Sequence, residues 1–231
     1  MGLSIVSDRV DVLDHGFVRL VSSMGGDLSI SRAARVSYDS PAREEDKGLI
    51  KYLMKNKHTS PFEAVVFTFE VKAPIFVLRQ WHRHRTWSYN EVSARYTALP
   101  SEFYVPTPKN IGKQSKDNKQ MREPMDPDDI TGVARAKRFS QLIRMQCEQA
   151  HALYLDLLET ECPRELARGV LPLNIYSRMF ATVDLHNLLH FITLRNHEHS
   201  QYEIQVYAQA LRTLIKPIVP LTMEAYDKWN T

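Results

Sequence analysis

Residues 83–96 read RHRTWSYNEVSARY, placing three arginines, a histidine, a glutamate and two tyrosines within fourteen positions, with no lysine or glycine among them. Solvated basic faces usually mix lysine with arginine. Arginine alone suits planar, two-point recognition of phosphate or carboxylate. Upstream, Gln80 and Arg83 share a helix face, and Arg79 and Arg83 are four apart, where like charges repel by roughly a few tenths of a kcal/mol. An anion held between those arginines reverses the sign. Asn90, Glu91, Ser93, Arg95 and Tyr96 add donors, acceptors and a stacking ring, the set that a phosphorylated nucleotide requires. A plain solvated basic face remains the competing account of this run.

Two more arginines stand apart. Arg168 lies in PRELARGVLPLN, a short proline-started helix entering an apolar strand, and Arg195 ends the helix DLHNLLHFITLR. Matching of the helix dipole accounts for a cation at Arg195 without any further role. His186 and His190 share a helix face and His197 and His199 follow, yet no carboxylate or thiol joins them at a metal-site spacing and HNLLH lacks the glutamate of HExxH. No metal is expected. The chain has no GxGxxG, no GxxxxGK[ST] and no GxSxG, which argues against a Rossmann dinucleotide site, a P-loop and a nucleophile elbow. Cys147 and Cys162 have no adjacent histidine, a weak argument against a thiol nucleophile.

The elements that must position these groups form an α+β pattern with a mainly antiparallel sheet and several long helices. Short strands are expected at RVDVLD and GFVRLVSSM, then a helix through DLSISRAARVSY capped by Asp27. Ser40-Pro41 marks another helix start, with Leu49, Ile50, Leu53 and Met54 as its buried stripe. AVVFTFEV reads as a strand, and Pro74 opens a helix running to Arg85. Residues 107–130 are polar, proline-punctuated and poor in large apolar groups, so a mobile surface loop is expected there. A long helix follows, then three more helical stretches around the strand-like LNIYSRMFATV. No repeat or linker divides the 231 residues, so a single domain is expected.

Apolar residues at 43%, charged residues at 25% and a net charge of +3 are those of an ordinary soluble protein. They give little support to an RNA binder, whose affinity rests on a basic surplus. Two cysteines suit a reducing compartment. No signal-peptide core and no apolar run near the membrane-spanning length of about 20 residues is present. A cytoplasmic protein bound to neither membrane nor nucleic acid is expected.

Residues 83–93 also fit a family signature, RHR followed seven residues on by serine, here Arg83, His84, Arg85 and Ser93. HTSPFE, FTFEVKAPIFVLRQW, FYVP, ARGVLPLN and the LR…H.Q.EIQ series follow in the family's order. By these motifs the chain resembles the flavin-dependent thymidylate synthases over nearly all its length except the polar segment. The resemblance implies a homotetramer with active sites at subunit interfaces, binding FAD without a Rossmann fold. The implied reaction moves a one-carbon unit from methylenetetrahydrofolate to C5 of dUMP and reduces it with hydride from FAD that NADPH has reduced. It uses no enzyme cysteine.

Carried over residue by residue, the resemblance makes Gln80, Trp81, His82, Arg83, Glu91, Val92, Ser93, Ala94, Arg95 and Arg168 contacts to dUMP. His58, Ser60, Arg83, His84, Arg85, Glu91, Asp184, Leu185, His186 and His190 would meet FAD. Arg195 aligns with the residue that promotes ionisation of uracil N3, and so is both a dUMP contact and the catalytic residue. Arginine stays protonated, so its role would be to stabilise charge rather than to accept a proton. At Asp184 and His190 the chain departs from the family, which commonly carries asparagine there. A non-catalytic nucleotide- or RNA-binding module is the alternative function, and a histidine metalloenzyme sensitive to chelators a third.

Overall fold

The structure, a computed structural model, describes residues 9–40 and 46–229. Its centre is a five-stranded, wholly antiparallel sheet in the order β1-β2-β3-β7-β4. The strands are β1 (Arg9–Val12), β2 (Gly16–Met24), β3 (Val66–Pro74), β4 (Ser88–Glu91) and β7 (Tyr176–Asp184). Alternation along β3 fixes its register. Phe67, Phe69, Val71 and Ala73 are fully buried on one face, while Thr68, Glu70 and Lys72 point the other way. Burying a phenylalanine of this kind contributes roughly 1.5–3 kcal/mol. β3 pairs with β7 along its whole length, from Val66 opposite Asp184 to Pro74 opposite Tyr176. At Gly16 a Cβ would collide with the Tyr207 hydroxyl, so the turn into β2 admits no larger residue.

Helices cover the buried face. They are α1 (Asp27–Arg35), α2 (Lys47–Lys55), α3 (Ile75–Trp81), α7 (Leu185–Arg195), α8 (Tyr202–Ile215) and α9 (Pro220–Trp229). Trp81, Leu188, Phe191, Tyr207 and Leu211 interlock with the sheet in one core. The expected stripe of α2 holds: Ile50 and Leu53 are buried, with Leu49 and Met54 packed against the same core. The expected start of that helix at Pro41 lies outside the described residues. Asp27 does not cap its own helix, which begins after extended Gly26. Its carboxylate accepts from the Leu221 and Thr222 amides (2.8 and 3.1 Å) and so caps α9 instead.

α3 ends at Trp81 rather than running to Arg85. The Tyr89 hydroxyl donates to the carbonyls of Trp81 (3.2 Å) and His84 (2.9 Å), supplying partners for carbonyls at the helix end. α5 (Ile130–Glu159) starts at Asp129, whose side chain accepts the Gly132 amide at 2.8 Å. It runs for 30 residues but buries few of them, and Phe139, Leu142, Met145 and Leu153 stay exposed. α6 (Arg164–Ala167) follows.

The polar segment expected as a mobile loop contains α4 (Pro108–Ile111) and a small ladder of β5 (Lys113–Gln114) and β6 (Arg122–Glu123). Polar contacts replace the missing apolar burial: Lys113 pairs with Asp129 (2.9 Å), and Arg122 with buried Glu203 (2.9 Å).

Candidate active site

β3 and β7 are antiparallel neighbours, and each runs directly into a helix, α3 and α7 respectively. The C-terminal ends of these two helices meet. Arg195, the last residue of α7, donates from Nε to His84 Nε2 at 2.9 Å and from Nη2 to the Gln80 carbonyl at 3.2 Å. Its charge therefore serves a carbonyl at the negative end of α3 and not merely its own helix. A guanidinium carries five N–H donors. These bonds hold the group in a fixed orientation, and the rest of its donors have no partner among the described residues.

His84 completes this anchor. It is buried, and its pKa falls to about 4, first through burial and then through the charges of Arg195 and His190. Near neutral pH the imidazole is uncharged. Since Nε2 accepts from Arg195, the ring proton resides on Nδ1. Burial also lowers the pKa of Arg195, which leaves a guanidinium charged near neutral pH.

The anchored arginine opens on a cleft of about 800 Å³ lined by Arg83, His84, Arg85, Thr86, His186, Asn187, His190, Leu194 and Arg195. Its lining has three arginines and no carboxylate. Arg83 and Arg85 are exposed and make no side-chain hydrogen bond or ion pair among the described residues. Such a surface is set up to take an anion bearing more than one negative charge.

The remaining expected residues form two further groups. Glu91 accepts from Ser177 Oγ at 2.6 Å, and Ser93 Oγ accepts the Arg95 amide at 3.3 Å. Arg95 lies 3.6 Å from Glu165, whose carbonyl accepts from Arg168 Nε at 3.3 Å, so Arg95 and Arg168 converge at α6. His58 and Ser60 line a separate cavity of about 560 Å³ with Arg35, Ser37, Ser40 and Tyr52. The chain by itself thus presents three groups.

Several expected contacts are restricted by packing. Trp81, Ala94 and Leu185 have buried side chains, and the Leu185 amide already donates to the Val65 carbonyl at 2.8 Å. Val92 packs on the smaller core beside Ala94, and its amide donates to Arg178. His82 packs edge-on against Tyr89. Asp184 is the N-cap of α7: one oxygen accepts the Asn187 amide at 2.9 Å and the other the Asn187 side chain at 2.6 Å. Its carboxylate is thereby committed to the helix. His190 remains exposed in the cleft, 6.2 Å from the His84 ring.

The sequence reading passed over Thr86, Asn187 and Leu194, which line the cleft, and Ser177, which holds Glu91. Ser177 follows no motif, whereas Asn187 sits within HNLLH and could have been found from its place between the two histidines. Gln201 and Glu203 belong to the H.Q.EIQ series, and Gln201 touches Gln80. The Cys147 thiol is buried beside Asn174, with its pKa raised by burial, and does not line the cleft.

Comparison with known proteins identifies the family. The sequence pattern of the thymidylate synthase complementing protein family (Thy1) matches residues 19–221. The flavin-dependent thymidylate synthase of Thermus thermophilus is 48% identical over 221 residues, covering 95% of this chain and 78% of that protein. The enzyme of the same name from Thermotoga neapolitana is 44% identical, covering 96% and 95%. The crystal structure of the UMP/dUMP methylase PolB from Streptomyces cacaoi, bound with 5-Br dUMP, superposes with a TM-score of 0.81 at 34% identity, covering 96% of this chain and 98% of that one. A family match over residues 19–221, with relatives of this name 44% and 48% identical over 95% or more of the chain, leads to one assignment: the protein belongs to the flavin-dependent thymidylate synthase family.

Proposed function

We propose that the chain converts dUMP, methylenetetrahydrofolate, NADPH and a proton into dTMP, tetrahydrofolate and NADP⁺, using FAD, as a cytoplasmic homotetramer in which all 231 residues act as one domain. The observation that carries this reading is the Arg195 guanidinium, fixed by His84 and the Gln80 carbonyl at the mouth of a carboxylate-free, arginine-lined cleft.

The residues present fit the flavin. A diphosphate needs several cationic donors and no competing carboxylate, and Arg83 and Arg85 meet that need while Asp184 is held away as a helix cap. His84, His186 and His190 offer polar edges beside them. When bound, FAD supplies the hydride that reduces the transferred carbon.

The chain's own contribution is to make uracil C5 nucleophilic. Removing or sharing the N3 proton pushes electron density onto C5, and Arg195 would stabilise the negative charge that results. A pre-organised donor of this type is worth about 3 kcal/mol. Arg95 and Arg168 would hold the nucleotide phosphate, with Glu91, Ser93, Gln80 and His82 on sugar and base; the approach of both arginines to Glu165 supports this. Arg195 acts as a stabiliser, and Ser93 as a binding residue rather than a nucleophile.

The same geometry supports assembly. The groups at 58–60, 80–85 with 186–195, and 91–95 with 168 are distinct on one chain, which supports sites completed by neighbouring chains. α5 adds an apolar face, and Phe180, on the face of β7 opposite Met179 and Ala181, is exposed. Among the described residues no helix is long and apolar enough to cross a membrane.

The test is the visible absorption spectrum of the purified protein supplied with FAD and then stripped of unbound FAD. NADPH is added next, with dUMP, with UMP or with neither. Retained flavin that bleaches faster with dUMP agrees with the proposal; a protein that cannot retain FAD refutes it. UMP is included because the structural neighbour is named a methylase of both nucleotides.

A further inference from the structure

The insertion between β4 and α5 reaches Gln80, and through it Arg195 on the cleft wall, by three side chains that the reaction as described does not use, those of Arg122, Glu203 and Gln201. Arg122 on β6 donates from Nη2 to Glu203 Oε1 at 2.9 Å. Glu203, on the first turn of α8, is 1% exposed and also accepts from the Tyr104 hydroxyl at 2.9 Å. Its second oxygen, Oε2, accepts from Gln201 Nε2 at 2.9 Å. Gln201 Oε1 in turn accepts from Gln80 Nε2. The main-chain carbonyl of that same Gln80 accepts from Arg195.

Direction matters in this chain. A carboxylate paired with arginine can only accept, so the amide of Gln201 must turn its NH₂ toward Glu203. Its oxygen then faces Gln80, which must turn its own NH₂ toward Gln201. The Gln80 Oε1 atom is left without a partner among the described residues, as a hydrogen-bond acceptor. Without a fixed anion at Glu203 both amides could flip, and Gln80 would present donor and acceptor indifferently.

We infer that Glu203, anchored by Arg122 of the insertion and by Tyr104, is a positioning residue that fixes the amide of Gln80 as an acceptor toward a donor on the bound nucleotide. Glu203 touches no substrate and acts through Gln201. The polar insertion is then a fastening of the binding site rather than a free loop. This inference rests on the reading of Gln80 as a dUMP contact.

A double-mutant cycle on dUMP affinity, read by calorimetry on the FAD-loaded enzyme, tests it. Glu203→Gln keeps the shape but can donate as well as accept. It is expected to weaken dUMP binding by about fivefold, the worth of one net hydrogen bond. In a Gln80→Ala background the same substitution should change dUMP affinity by less than about twofold. FAD retention should be unchanged in every variant, which a general structural defect would not allow.

Equal losses in both backgrounds, or full dUMP affinity in folded Glu203→Gln, overturn the inference. Should Glu203→Gln fail to fold, Arg122→Met releases the same carboxylate from the surface, and its loss must likewise vanish with Gln80→Ala. If wild-type enzyme fails to bind dUMP, the proposed function falls and takes the inference with it. If wild type binds and the cycle shows no coupling, the inference alone is wrong.

Discussion

Replacing Arg195 probes the site at its most constrained point. Its guanidinium makes two anchoring bonds, to His84 Nε2 and to the Gln80 carbonyl, and the residue lines the cleft. Arg195→Ala removes the charge that stabilises the developing uracil anion, about 3 kcal/mol, which at about 1.4 kcal/mol per decade is a fall in kcat of roughly a hundredfold. Arg195→Lys keeps the charge but not the planar fork, so it cannot make both anchoring bonds while presenting the same donors. It should lie between, near a tenfold loss. Removing the cation also relieves one of the effects that hold the His84 pKa near 4; since burial is the larger cause, that pKa should rise only part of the way toward 6.5. The assay is single-turnover dTMP formation, with the His84 ring titrated by NMR in the same variants and FAD retention as a control. Arg195→Ala with near-wild-type dTMP formation refutes the catalytic assignment. An unmoved His84 pKa refutes the coupling between the two residues.

Arg168→Ala should weaken dUMP binding more than FAD binding, measured by titrating each ligand separately; equal loss of both would indicate damage to the fold instead. His84 links stability to pH: the unfolded chain takes up a proton below about 6.5, and the native ring does so only near 4. Its contribution is therefore complete above pH 6.5 and is lost as pH falls toward 4, by at most about 3 kcal/mol. His84→Gln keeps an acceptor for Arg195 and should flatten that slope in urea unfolding at pH 7 and 4.5; an identical slope contradicts the assignment. Leu142→Glu combined with Met145→Glu places charge on the exposed apolar face of α5, and light scattering should show the proposed tetramer in the wild type and smaller species in the variant. A wild-type monomer, or an unaffected tetramer, contradicts the proposed assembly.

The elements that the sequence announced were those whose own residues determine them. β3 is rich in aromatic and β-branched side chains, β7 alternates buried Met179, Ala181 and Val183 with more exposed positions, and α2 repeats its apolar residues at helical spacing. β4 was hidden because Ser88, Tyr89, Asn90 and Glu91 are polar, and it pairs only as an edge on β7. Asp27 looked like a local cap, but its partners lie 194 and 195 residues away in α9. Likewise, nothing local places Arg195 against His84, 111 residues distant. The arginine-rich run and the family's motifs named most of the candidate residues in advance. What they could not convey is that two helix ends meet to orient Arg195, or that hydrogen bonds through Glu203 reach the insertion. The first depends on how antiparallel β3 and β7 deliver their helices, and the second on how α8 packs against the insertion.

As a flavin-dependent thymidylate synthase, this chain makes dTMP from dUMP. The most direct measurement incubates the FAD-loaded protein with dUMP, methylenetetrahydrofolate and NADPH and quantifies nucleotides by chromatography, with FAD-stripped protein in parallel. Formation of dTMP that requires FAD and disappears with Arg195→Ala is the expected result. Flavin-loaded protein that oxidises NADPH yet leaves dUMP unchanged would contradict the account.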